Sequence, residues 1–542
     1  MACRLVKEPK RSNKSVIMNY NLKFIIGALL LTVSIGTMGQ KLDFRLKMGK
    51  EFRDSRRSLL SDIVGNDATG LYVVSDHINF TGRSTIEKLE HFNNDYEPNQ
   101  SLDLDFKENG QDCTVQHVVN WHGRLYIFYS YATKNERKNV LLMGEIDKST
   151  FTIRADKLKI GEIDYSEKSK RNKGDFNLRF SRDSSKLLVF YDLPFQGNDS
   201  ETYGFNVLDD QMRSLWQKNV TLPYSDDLFD VESFRVDNSG NAYILGLIYK
   251  DKRKEKRRGL PNYKYEVQAY SDKGNTVKQY PVTSPDYFFT DMQIEISDNS
   301  TLICAGFYSE KGTSTIKGTY FLRVDLATKG IKTQSFKEFG IDFITQNMSE
   351  GKAKRTEQKT KKGKDIELVN YDLDKLLVGK DGSAILVAEQ YYSHQTITYG
   401  QNGATTVRNY YHYDNVIAVK VNPAGQIEWA QKIPKRQITL NDNGFYSSYA
   451  LAIANGKICF IFNDNPKNLT YTKGLPANYN PSKSVVMLVS INAQGEVSRQ
   501  PLFLNKDTEV IIRPKVCEQI SNRQVILFGQ RKRGRQFVKV TF

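Results

Sequence analysis

Cysteine and histidine are scarce in this chain, five and six among 542 residues. No C-x-x-C spacing occurs, which removes the basis for a structural zinc site or a thioredoxin-like redox centre. The familiar catalytic signatures are missing as well. There is no G-x-S-x-G elbow, no H-E-x-x-H, no phosphate-binding loop and no dinucleotide fingerprint. Tryptophan is rare too, three residues against 30 tyrosines and 29 phenylalanines, an aromatic mix that favours strands over helices. Mean hydropathy is −0.53 with 26% charged residues. Enough apolar residues remain to build thin, repeated cores, so general disorder is excluded.

Long apolar runs are also missing, with one exception. Lys23 precedes Phe24 to Ile35, and the small residues Gly36, Thr37 and Gly39 follow. A positive flank, a short apolar core and small residues near a cut describe a secretory signal peptide, too short for a spanning helix. Residues 1–39 are therefore expected to be a signal region. Met1 to Ile17 is longer than such a leader needs, and Met18 is an alternative start. The mature chain is expected to be exported, periplasmic or secreted, with no transmembrane anchor after cleavage. No cysteine follows the run, so no lipid anchor is expected at this cut. A start at Gln40 resembles exported proteins of Bacteroidetes-type bacteria. Four cysteines remain beyond the leader, Cys113, Cys304, Cys459 and Cys517. Cys304 and Cys459 sit inside apolar strands and read as small buried hydrophobes.

One pattern recurs along the mature chain: a polar turn, often closed by glycine, then an apolar strand. It occurs at Asp67–Gly70, Asn120–Gly123, Asp183–Ser185, Asp237–Gly240, Asp298–Ser300, Lys380–Gly382, Ala454–Gly456 and Ser521–Asn522. Each turn is rich in residues that accept positive φ or bond their own backbone, as tight hairpins demand. Successive copies lie between 53 residues (Gly70 to Gly123) and 82 residues (Ser300 to Gly382) apart. A second hairpin follows in most units, as at Asp272–Asn275, Asn422–Gly425 and Asn492–Gly495. Two hairpins make four antiparallel strands per unit. The last unit runs out at Phe542 one strand short, while an unpaired alternating segment, Lys41 to Leu46, stands at the other end. Pairing the two would close a ring and remove an exposed sheet edge.

With those repeats the chain resembles β-propellers, and in particular exported propellers of Bacteroidetes-type bacteria. The resemblance implies an all-β fold of about eight four-stranded antiparallel blades, or seven if one unit packs elsewhere, closed by the N-terminal strand. It covers residues 40–542 as a single domain with a Lys-rich insertion at about 345–366, whose Lys352 to Lys364 is expected to be a mobile connection. Two all-β domains split near 340–365 are the competing arrangement. No WD dipeptide, kelch glycine pair or sialidase-type Asp box is present, so the resemblance carries over no catalytic residues.

If the repeated turn joins the first two strands of each blade, the loops between second and third strands gather on the opposite face. Those loops are basic and rich in tyrosine. The fourth unit supplies Lys252, Arg253, Lys256, Arg257 and Arg258, and the eighth Arg531, Arg533 and Arg535. The sixth has a long loop from Tyr391 to Tyr413 carrying His394, Arg408, Tyr410, Tyr411 and His412. Formal charge is +16; the leader's six Lys/Arg and one Glu take away five, leaving +11. A basic face concentrates anionic partners, and tyrosine suits sugar stacking or protein contact. The expected function is therefore non-enzymatic binding or scaffolding, directed at an anionic glycan, an envelope component or a protein partner. Compartment and motifs both argue against nucleic acid. The alternative is a secreted carbohydrate-active or peptide-cleaving enzyme centred on the channel mouth. No cofactor or metal is expected; two histidines flanking one loop are a weak constellation without placed carboxylates.

Overall fold

The computed structural model describes residues 40–53, 58–78, 85–165, 173–194, 199–297, 301–400, 402–505, 508 and 510–542. The expected leader, residues 1–39, and the turn at 298–300 lie outside the described residues. The repeated turns do join first to second strands. His122 and Gly123 (φ 48° and 77°) and Asn455 and Gly456 (φ 49° and 72°) form two-residue hairpins with positive φ at both positions. Elsewhere a side chain closes the turn: Asp237 Oδ1 accepts from the backbone N–H groups of Ser239 and Asn241, both at 2.9 Å.

Each repeat becomes an antiparallel sheet of four strands, and the described residues contain eight such blades, some with a short extra strand. Their first strands are Ser58–Asn66, Gln111–Trp121, Asp175–Phe180, Phe229–Val236, Phe288–Ser297, Tyr371–Val378, Ala450–Ala454 and Glu518–Ser521. These strands meet one another around a central axis. Blade 1 touches blade 2, and so on through blade 6; blade 7 touches blade 8, and blade 8 returns to blade 1. Blades 6 and 7 join through a shared core of Val387, Val416 and Ala418 against Phe460, Phe462 and Met487.

Eight apolar cores lie among the described residues, one between each neighbouring pair of blades. The core between blades 8 and 1 packs Leu60, Val73 and Phe92 on Phe528 and Phe537. That contact makes the structure a closed, eight-bladed β-propeller. The final blade takes its fourth strand from Arg45–Met48, paired antiparallel with the last strand from Thr541 back to Val538. The closing strand thus lies slightly C-terminal to the expected segment, and Leu42 and Phe44 pack beneath it instead of pairing.

The insertion between blades 5 and 6 is helical. Helix α1 spans Ile341–Thr345 and α2 spans Glu350–Lys361. Its Lys, Glu, Gln and Ala content favours a helix over the loop expected from charge alone. Ile344 and Leu368 anchor the insertion in the core between blades 5 and 6. Lys432 fastens it from below, its Nζ donating to the carbonyls of Phe343, Ile344 and Gln346 at 2.8–3.3 Å. Those carbonyls end α1 without helical partners and accept from Lys432, whose burial lowers its pKa to about 7. All four cysteines beyond residue 39 are free, and Cys304 and Cys459 are buried as expected of small hydrophobes.

Candidate functional site

Strand connections divide the propeller into two faces. Turns between first and second strands, and between third and fourth, crowd one face. The opposite, loop face carries the connections between second and third strands and between blades. The expected basic loops all project from this loop face, but they do not form one patch. In an eight-membered ring, blades 4 and 8 stand across the channel from each other, with blade 6 a quarter turn from each.

The predicted residues meet different fates. In blade 4, the Arg253 guanidinium pairs with Asp230 and that of Arg257 with Asp251. Lys256 lies over the Phe288 ring, 5.4 Å from its centre, and donates to the Lys311 carbonyl at 3.3 Å. Lys252 and Arg258 are exposed, as are Arg531 and Arg533 at the tip of blade 8. Arg535 is not on the face at all. It is 4% exposed, and its guanidinium bonds both the hydroxyl and the carbonyl of Ser58, bolting blade 8 to blade 1. Alternation along Gly534–Thr541 turns it inward, which charge-run reasoning overlooks.

The expected long loop of blade 6 is instead a tall hairpin. Its strands, Ala384–Tyr399 and Thr405–Val421, run far past the end of the first strand, at Tyr371 opposite Gln390. Tyr391 and Tyr392 therefore continue a strand. Cross-strand pairing stacks rings on one side: Tyr392 on His412 at 4.1 Å between centroids, His394 on Tyr410 at 4.8 Å, and the two imidazoles at 5.1 Å. Arg408 sits opposite Thr396 on that side, while Tyr411 points to the other. Burial and the nearby charges of His394 and Arg436 push His412 down to about 4, so its imidazole is neutral at neutral pH. The other side of the hairpin ends in Ile397 opposite Val407, and Tyr399 at the tip is 76% exposed.

Sequence reasoning named the channel mouth but not the residues that line it. Alternation along the first strands sends apolar residues into the blade cores and polar ones toward the axis. Arg179, Arg235, Glu295, Lys375 and Glu518 thereby line a cavity of about 600 Å³. The signal was present in FNLRF, SFRV and QIEI, each a charged residue alternating with core residues just before the repeated turn. On the turn face, Arg182 of blade 3 reaches across to the Val378 carbonyl of blade 6 (3.3 Å) and bars that mouth.

Toward the loop face the same cavity gathers carboxylates, tyrosines and lysines. Lys435, fully buried, ion-pairs with Glu389 (2.6 Å) and donates to the Tyr413 carbonyl (2.8 Å). Glu389 also accepts from Ser448 Oγ at 2.7 Å. Tyr449 OH donates to Asp374 at 2.6 Å, and Lys515 Nζ donates to Tyr413 OH at 2.7 Å. Enclosure by the ring and the Glu389 charge raise Asp374 to about 8. Burial lowers Lys515. Among the described residues, no three His, Cys, Asp or Glu side chains converge as a metal site requires.

Raised carboxyls recur elsewhere. Burial, then the neighbouring Asp226, lifts Glu201 to about 9, and burial lifts Asp62 to about 6. A carboxyl whose folded pKa exceeds its unfolded value near 4 binds more protons when folded, so stability falls as pH rises between the two. Each such proton changes stability by ~1.4 kcal/mol per pH unit within its window. His117 and His412, both lowered to about 4, oppose this below pH 6.5, and Lys432, lowered to about 7, opposes it above pH 7. They are outnumbered by the raised carboxyls, Glu87 (about 7), Asp464 (about 6) and Glu518 among them. Thermal unfolding is therefore expected to show a lower Tm at pH 7.5 than at pH 5, with a flatter slope in Glu201→Gln. A Tm that climbs steadily across that range would contradict the assignment.

No family model matches the sequence, and no curated protein does. Among solved structures, the chain is similar to the WD40 domain of SCAP from fission yeast (10% identity, TM-score 0.38, covering 92% of this chain and 98% of that one). It is also similar to the β-propeller domain of the Trilobed protease from Pyrococcus furiosus (11%, 0.31, 72% and 94%). A third is an acylaminoacyl peptidase from Pyrococcus horikoshii (9%, 0.34, 88% and 58%). At these values the propeller assignment rests on the strand pairing and the eight inter-blade cores.

Proposed function

We propose that this protein is an exported binding propeller that recognises an anionic glycan, an envelope component or an acidic protein through its loop face. The observation that carries the reading is the tall blade 6 hairpin. It stands above the channel mouth with stacked Tyr and His rings on one side and an exposed Ile397–Val407 pair on the other. Flat rings and a small apolar tip suit stacking and contact. The exposed Lys252, Arg258, Arg531 and Arg533 add attraction for negative charge from two sides of the mouth.

Binding to alginate, a uronic-acid polymer, should weaken steeply as salt rises from about 0.05 to 0.5 M, because exposed charges are screened over that range. Replacing Lys252, Arg258, Arg531 and Arg533 together by Gln should cost about tenfold or more in affinity, since each exposed charge contributes up to ~1 kcal/mol. Arg253 and Arg257 are poorer targets because their charge is already answered by Asp230 and Asp251. Binding unchanged in the fourfold variant would remove the loop face from consideration.

A second, enzymatic reading has one observation behind it: Asp374, raised in pKa, beside the Glu389–Lys435 ion pair at the channel mouth. A carboxyl whose pKa is raised toward neutrality can act as a general acid or base. Release of cleaved product in the same alginate assay, or in a peptide counterpart, would select it over plain binding.

A further inference from the structure

The channel contains a positive charge that the fold itself leaves unanswered. Arg179 and Arg235 are each the second-last residue of their strands, Asp175–Phe180 and Phe229–Val236, which are neighbours around the ring. Both line the same cavity. Arg235 is committed: its Nε donates to Glu295 of blade 5 at 3.0 Å, and a terminal nitrogen donates to the Phe234 carbonyl at 2.8 Å. Arg179 is not. Among the described residues its guanidinium makes no hydrogen bond and no ion pair. The charged groups it feels most are the Arg235 guanidinium, which repels it, and Glu295, which is already engaged.

A third cation, Lys375, enters from blade 6 and interacts with both arginines as well as with Asp374 and Glu518. The two guanidiniums thus share Glu295 as the carboxylate both feel. Arginine keeps its charge at neutral pH, so losing a proton does not relieve the repulsion. An anionic group placed between the two would relieve that repulsion. The planar, forked donors of guanidinium match the paired oxygens of a carboxylate or phosphate. A space of about 600 Å³ falls within the range of small-molecule sites.

We propose that the channel binds a small ligand bearing a carboxylate or phosphate, whose anionic group bridges Arg179 and Arg235. The body of the ligand then extends along the cavity toward Asp374, Tyr413 and Tyr449 at the loop-face mouth. Arg182, which bars the other mouth, sets the direction of entry. This site stands apart from the loop-face reading, and either can hold without the other.

Titration calorimetry and thermal unfolding of the purified protein against inorganic phosphate and against succinate, at constant ionic strength in chloride, test the proposal. At least one of the two anions is expected to release or absorb heat and to raise Tm at millimolar concentration. Arg179→Gln should weaken that binding at least tenfold, whereas Lys354→Gln, exposed on α2 and outside the cavity lining, should leave it unchanged. A response to phosphate alone identifies a phosphate ester as the ligand class, one to succinate alone a carboxylate, and a response to both a site that reads charge and oxygen geometry. No response of the unmodified protein to either anion overturns the proposal, whether or not the variants fold. So does full retention of the response in Arg179→Gln.

Discussion

Deleting Gln40–Met48 should abolish cooperative folding or lower Tm by more than any single substitution. Four ladder positions, Arg45 to Met48, pair with the last strand, and Gly49 N–H adds a bond to the Phe537 carbonyl at 2.9 Å. Leu42, 6% exposed, lies in the core between blades 7 and 8, where Gln500 donates to its carbonyl at 2.5 Å. Removing these residues bares the edge of Gly534–Thr541 and part of that core. A bare edge strand invites pairing with other chains, so aggregation should accompany the loss. Leu42→Ala alone is expected to cost ~2–5 kcal/mol, the usual range for a buried leucine. Denaturant titration and light scattering of both variants measure this. A truncated chain that unfolds cooperatively at the normal midpoint would mean that the ring does not depend on its closing strand.

The second large effect concerns Lys435. Its ammonium, with no exposed surface, is held by Glu389, Gln437 and the Tyr413 carbonyl. Lys435→Met should destabilise by ~3–5 kcal/mol, because it strands the Glu389 carboxylate without its cation. Adding Glu389→Gln to that variant should restore part of the loss, since the remaining amide needs no counter-charge. The double-mutant cycle is read from urea midpoints. Equal costs for the single and double variants would show that Glu389 draws its compensation from Ser448 alone.

Much of this architecture is legible in the order of residues alone. Turn residues such as His122-Gly123 and Asp237–Gly240 specify their hairpins locally, because positive φ and side-chain closure are properties of a few adjacent residues. The need for a strand beside the last one is legible as well, since sheet edges demand partners. The closing strand lies a few residues later than expected, at Arg45–Met48, because alternation marks a strand without setting its register. The site is less legible. Arg253 and Arg257 look like free charge in a basic run, yet Asp230 and Asp251 neutralise them, and Asp230 is distant in sequence from Arg253.

By itself, then, the sequence determined a ring of repeated four-stranded sheets, because hairpin chemistry and a period of two are local. It also determined that one face is rich in basic loops, because connection order assigns each loop to a face. Only the tertiary structure decided which alternating residues face the axis and which the cores. Arg179 in FNLRF and Arg535 in GRQFV follow the same two-residue period. One opens into the channel with no ion-pair partner among the described residues, and the other is bolted to Ser58 across a blade interface. What separates them is the neighbour each strand face meets, and that neighbour is brought close only when the ring closes.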